Sequence, residues 1–272
     1  MQKKEYKELL FTDDFLFCKI LTNNLNLLKD LLEMILDIPI QRVELAEPQK
    51  TMEELVDGRG IRLDVYVEDD KGTVFDIEMQ TTRQKDLPKR TRYYQGMIDM
   101  HLIGRGARFA ELRKTYIIFL CLDTIFDQSR CIYTFENLCI QDSRIRLDDD
   151  AVKVFITPYG DRTGLSNDMI AFLDYLIQKG ASSDLTYRID KEVRKAQTRE
   201  DWRLDYMTLD MIRQEEREEG WQEGHREGRT ETIHQAVQSL MTQEDHLSLE
   251  HIKEQIQMMF HLSDTEIKEY LP

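Results

Sequence analysis

Asp64, Glu78 and Gln80 are the residues whose types and spacing could do chemistry together in this 272-residue sequence. Residues 61–68 and 73–80 read as two strands, rich in Val, Ile, Tyr and Phe and joined by Asp69-Asp70-Lys71-Gly72. Gly72 suits the positive φ that closes a three-residue hairpin loop. With Asp70-Lys71-Gly72 as that loop, residue 69 faces residue 73, and Asp64 falls opposite Glu78 with Cβ atoms about 4.5–5.5 Å apart. Side chains alternate across a strand, so Val74, Asp76, Glu78 and Gln80 share one face and Phe75, Ile77 and Met79 the other. Two carboxylates that close repel unless a cation lies between them. Mg²⁺ (or Mn²⁺) suits such a pair, because it takes one or two carboxylates together with waters and phosphate oxygens. An ion held there can polarise a phosphate and lower the pKa of a bound water. The same register puts Arg62 opposite Gln80, at the edge of the cluster, and Asp76 on the face as a supporting acid.

Spacing alone leaves a second reading open, an exposed hairpin face whose acids are merely solvated. The segment after Gln80 weighs against it. From Thr81 to Lys114 there are nine Lys and Arg against three acids, a local charge of +6, while the whole chain carries −15 and the remainder therefore −21. A chain this acidic does not coat nucleic acid non-specifically. One basic stretch starting beside the carboxylates can still hold a phosphate backbone, with Arg62, Arg83, Lys85, Lys89, Arg90 and Arg92 as the candidate contacts.

The elements that must position these groups follow from periodicity. Apolar residues recur at helical spacing from Lys4 to Leu36, with Thr12-Asp13-Asp14 as a cap and Thr22-Asn23-Asn24 as a break. Residues 85–108 read as a helix. Thr115–Leu122 is a continuous apolar run, expected as a strand buried on both faces, and residues 130–137 and 152–157 as further strands. This order describes an α/β mixed sheet with helices packed on it. After Pro158 the pattern turns helical, over residues 167–178, 184–198 and 200–239. We expect a core over residues 1–160 and a helical C-terminal region over 161–272 that serves assembly or regulation. Gly220, Gly224 and Gly228 form a stripe that implies close approach of another helix, hence a homo-oligomer, or a marginal, flexible helix. No apolar run reaches the roughly 20 residues of a membrane span, no signal-peptide stretch follows Met1, and the four cysteines lack CxxC spacing, so we expect a cytoplasmic protein with reduced thiols.

Asp64 followed by Glu78-Met79-Gln80 resembles the Asp…(Asp/Glu)-x-Lys signature of PD-(D/E)XK nucleases. The closer likeness is to the Rpn recombination-promoting nucleases, also called PD-(D/E)XK family transposases. It rests on Asp13-Asp14-Phe15-Leu16-Phe17-Cys18-Lys19, Arg62-Leu63-Asp64, Ile77-Glu78-Met79-Gln80, Arg92-Tyr93-Tyr94-Gln95, Lys114-Thr115-Tyr116-Ile117-Ile118-Phe119, Tyr133–Asn137 and the Glu-Gly repeats from Glu219 to Gly228. The order and spacing of these motifs cover residues 10–230. The resemblance implies a restriction-endonuclease-like core, Mg²⁺-dependent hydrolysis of DNA phosphodiesters in a recombination, mobile-element or defence context, and Asp64 and Glu78 as metal ligands. Gln80 stands where the wider superfamily has lysine. It cannot carry the charge that helps activate the attacking water, though it can hydrogen-bond that water; Arg62 is the candidate substitute for the charge. That departure motivates the alternative, a catalytically weak or inactive nuclease fold that binds DNA or assembles.

Overall fold

The computed structural model describes residues 4–52, 60–126, 129–242 and 248–271. It divides into two compact units, Met1–Arg203 and Leu204–Pro272.

In the first unit, α1 (Asp14–Asn23) and α2 (Leu25–Leu36) precede the strands β1 (Val43–Met52), β2 (Ile61–Asp69) and β3 (Val74–Gln80). The helix α3 (Leu87–Leu102) leads to β4 (Thr115–Cys121), and β5 (Ile132–Phe135) and β6 (Ala151–Ile156) complete one sheet in the order β1-β2-β3-β4-β6-β5. Pairing is antiparallel for β1/β2, β2/β3 and β5/β6, and parallel for β3/β4 and β4/β6. The helices α4 (Asn167–Leu176) and α5 (Asp184–Ala196) pack on α1 and α2. The sheet is thus mixed and flanked by helices, as the periodicity implies.

The hairpin register is the one read from the loop: Glu68 pairs with Val74 and Val65 with Ile77, and Gly72 has φ 78°. Central position explains the composition of β4, all seven residues of which are buried. One core cluster gathers Leu63 and Tyr66 of β2, Val74 of β3, Ile117 and Phe119 of β4 and Phe155 of β6 against Leu87, Tyr94, Met97 and Ile98 of α3. Each such side chain contributes on the order of 1.5–3 kcal/mol by leaving water. This cluster clamps α3 across the sheet face that carries Asp76, Glu78 and Gln80.

Two elements lie outside the sequence expectation. Strand β1 has no clear alternation, carries Pro48 and is irregular between Val43 and Leu45. It is an edge strand, where a missing N–H and mixed polarity are tolerated, so its strand character comes from pairing with β2. The expected helix over 85–108 stops at Leu102. Of the later basic residues, Arg108 pairs with Glu111, Arg113 with Glu68 and Lys114 with Asp150, all at the surface.

The second unit holds most of α6 (Glu200–Met241) and α7 (Leu249–Phe260), the latter not expected from the sequence. Ile233 and Val237 meet Ile252, Ile256 and Ile267 in a small core. A Cβ built on Gly220, Gly224 or Gly228 meets nothing within 4 Å, so the described residues supply no close neighbour for the glycine stripe. Cys18, Cys121 and Cys131 are buried and Cys139 partly so, all four as free thiols. Among the described residues no helix is long and apolar enough to cross a membrane.

Candidate active site

Strands β2 and β3 part beyond the Val65–Ile77 pair, and their carboxylates take over the hydrogen bonds the ladder gives up there. The backbone N–H of Asp64 donates to Glu78 Oε1 at 2.9 Å, and that of Met79 donates to Asp64 Oδ2 at 3.0 Å. Each acid is therefore aimed by the strand opposite, and a carboxylate held by backbone donors cannot wander among rotamers.

The exposed-hairpin reading fails on burial. Glu78 is 2% exposed, Asp76 0% and Gln80 8%, because α3 lies over them. Among the described residues, both oxygens of Asp76 are buried with no hydrogen-bond partner. Burial, then the charges of Glu78 and Asp64, push the Asp76 carboxyl well above its usual range. The same causes, burial first and Asp64 second, push Glu78 up to about 8. Asp64, partly exposed, is pushed up to about 6 by burial and then by Asp14.

Asp14 is the acid that spacing did not single out. It opens α1, whose buried Phe15, Leu16 and Phe17 anchor it, and its carboxylate, the Cys18 thiol and the Asp64 carboxylate offer atoms within 4.8 Å of one another. The available signal was the doubled acid in Asp13-Asp14. Asp13 holds the cap position and accepts from the Leu10 N–H at 2.7 Å, so the two acids of the pair have different surroundings. The Cys18 thiol donates to Asp14 Oδ1 at 3.4 Å, and burial raises its pKa far above the usual thiol value, so it remains a protonated neighbour.

Arg90, one turn into α3, reaches down to the acids. Its Nη2 donates to Glu78 Oε2 at 2.6 Å, its Nη1 to Gln80 Oε1 at 3.2 Å and its Nε to the Tyr94 hydroxyl at 2.7 Å. The guanidinium also lies over the rings of Tyr94 and Phe119. Burial works against this charge, and Glu78 and Tyr94 more than offset it. The Gln80 amide donates to Thr82 O at 2.7 Å and to Thr82 Oγ1 at 3.2 Å, so both its ends are engaged. Arg62 is exposed and pairs along β1 with Thr51; its charge lowers the Asp64 pKa only weakly beside the effect of burial.

Arg62, Lys89, Arg90 and Arg92 line one cleft of about 770 Å³, together with Tyr93, Tyr94, Gln84 and Asp86. Four of the six candidate phosphate contacts are thereby brought together beside the acids. Arg83 and Lys85 lie exposed in the connection between β3 and α3, outside this lining.

This donor set fits a divalent cation. Hard carboxylate oxygens from Asp14 and Asp64 converge, and Glu78 is hydrogen-bonded beside them to the Asp64 N–H and ion-paired with Arg90. No curated protein and no solved structure matches the chain. A family model described as PD-(D/E)XK nuclease family transposase matches residues 11–156, a span that holds Asp14, Asp64, Glu78, Gln80 and Arg90. The fold is restriction-endonuclease-like, of a kind that generally uses divalent metal ions, and the chain belongs to the PD-(D/E)XK nuclease family transposases.

Proposed function

We propose that the chain is a Mg²⁺- or Mn²⁺-dependent DNA endonuclease, acting in a recombination, mobile-element or defence context. The observation that supports this most directly is the reciprocal Asp64–Glu78 fork, faced by Asp14 and opening beside a cleft lined with Arg62, Lys89, Arg90 and Arg92. Asp64, Glu78 and Asp14 would hold the ion, which supplies an activated water and charge on the scissile phosphate. The cleft cations bind and orient the DNA backbone, and burial under α3 keeps bulk water from screening the site. Hydrolysis forms the bond from water oxygen to phosphorus and breaks the bond from phosphorus to the sugar oxygen. One water proton passes to solvent and the leaving oxygen is protonated. Asp76, fully buried on the same strand face as Glu78, does not touch the substrate.

A second reading, an inactive fold that binds DNA or assembles through its C-terminal helices, draws on Gln80, whose amide has no donor left for a water. Nicking of supercoiled plasmid separates the two. The wild type nicks with Mg²⁺ or Mn²⁺ and not with EDTA, while Asp64→Ala and Glu78→Ala lose at least about 100-fold. Cleavage that persists in both variants removes this assignment, and a wild type that binds the metal yet leaves DNA intact favours the second reading.

A further inference from the structure

We propose that Arg90 is a catalytic residue, and that it supplies from α3 the positive charge missing at position 80 of the strand. This rests on the nuclease reading and goes beyond it, because the resemblance points to position 80 for that charge and the strand register to Arg62.

Arg90 and Gln80 form one unit. A lysine at the end of β3 would carry its ammonium beyond Glu78, toward the mouth of the site. Gln80 has no charge to carry there, and its carbonyl oxygen instead accepts from Arg90 Nη1. Ten residues later in the chain, α3 returns over the strand end. Pro88 pre-sets its first turn and Leu87 anchors it in the core, so Arg90 is delivered by a clamped helix and not by a loop. The guanidinium has five N–H groups. Nε serves Tyr94, Nη1 serves Gln80 and Gln84, and Nη2 serves Glu78, which leaves one Nη2 N–H without an acceptor among the described residues. The side chain keeps 28% exposure and lines the cationic cleft. A phosphate entering that cleft to reach the Asp64–Glu78 fork meets this N–H first. Charge on its non-bridging oxygens then grows against a guanidinium that is already aimed, which is where a fixed donor accelerates a reaction. Arg62 has no such hold on the acids. Gln80 thus becomes a positioning residue, fixed by Thr82 on one side and holding the arginine on the other.

Moving the charge tests this. Arg90→Gln, Gln80→Lys and the double variant Gln80→Lys/Arg90→Gln are compared with wild type on supercoiled plasmid, with Mn²⁺ affinity measured by calorimetry on the same samples. Arg90→Gln is expected to lose about 100-fold in cleavage rate, the scale for one lost transition-state donor, while it binds Mn²⁺ at least as well as wild type, since Glu78 loses a competing cation. The double variant, which restores a cation on the strand, recovers to within about tenfold of wild type. It preserves the charge of the site, so it carries the test alone if Arg90→Gln does not fold. Wild-type cleavage by Arg90→Gln overturns the proposal, as does a folded, Mn²⁺-binding double variant that stays inactive. A wild type that binds Mn²⁺ and cleaves nothing overturns the nuclease reading itself, and this one with it.

Discussion

Asp64 and Glu78 are costly to ionise where they sit, and that cost has a pH signature. Their ordinary values are 3.8 and 4.5, and burial lifts them to about 6 and about 8 in the folded chain. Between those limits the folded protein binds protons that the unfolded chain has released, so stability falls as pH rises. The loss is absent below about pH 4 and complete above about pH 8. We expect the metal-free protein to melt at least roughly 5 °C lower at pH 8.5 than at pH 5, because about 2 kcal/mol moves Tm by roughly 4–8 °C at this size. Glu78→Gln, which cannot ionise, should lose less over the same interval, and Mn²⁺ at pH 8.5 should recover wild type but not this variant. Parallel Tm profiles for wild type and variant would show that Glu78 is not the strained group. Ladder bonds surrendered at the strand fork aim the acids, and burial beside other carboxylates makes them expensive to ionise.

At the scale of elements, α3 does two jobs from two faces. Leu87, Met97 and Ile98 seat it on the sheet, while Lys89, Arg92 and Tyr93 stay exposed. A helix so clamped can hold a row of cations at a set height above the strand ends. If these are the phosphate contacts, replacing Arg62, Lys89 and Arg92 together by alanine weakens DNA binding and lowers the salt slope, log Kd against log salt, by about 0.9 per lost contact. Arg113→Ala serves as the control, since Arg113 is paired with Glu68 away from the cleft lining, and should leave the slope unchanged. An unchanged slope in the triple variant would place the phosphates elsewhere. Net charge alone hides this surface, because Arg108, Arg113 and Lys114 are spent on neighbouring acids while the basic residues on α3 are not all so paired.

Across the whole molecule, the second unit has its own small core around Ile233, Val237, Ile252, Ile256 and Ile267, and a long helix whose middle is exposed. Trp221 is 70% exposed on it. Glycine within a helix costs about 1 kcal/mol relative to alanine, and a Cβ at 220, 224 or 228 enters open space within the chain. Gly220→Ala, Gly224→Ala and Gly228→Ala combined should therefore raise the thermal transition of the isolated helix signal in far-UV circular dichroism and leave the mass by light scattering unchanged. A lowered transition or a lost oligomer would mean that a second chain packs its backbone against the stripe, as the glycine spacing implied at the outset.

Local pattern determined a good deal. The loop Asp70-Lys71-Gly72 set the hairpin register, because glycine takes at no steric cost the positive φ that closes that turn, and that register, carried past the Val65–Ile77 pair, set Asp64 beside Glu78. The apolar run of β4 marked the sheet centre for the same local reason, namely what a doubly buried strand must be made of. The mixed helical and strand periods gave the flanked sheet. Tertiary structure alone decided the rest. Edge strand β1 exists through its partner, and Asp14 and Arg90 come to the site from helices on either side of the hairpin in sequence. No period in a chain records which side chain of a helix, once packed, will reach a strand many residues away. That outcome depends on how the helix is clamped to the sheet, and the carboxylates acquire their raised pKa values only when α3 closes over them.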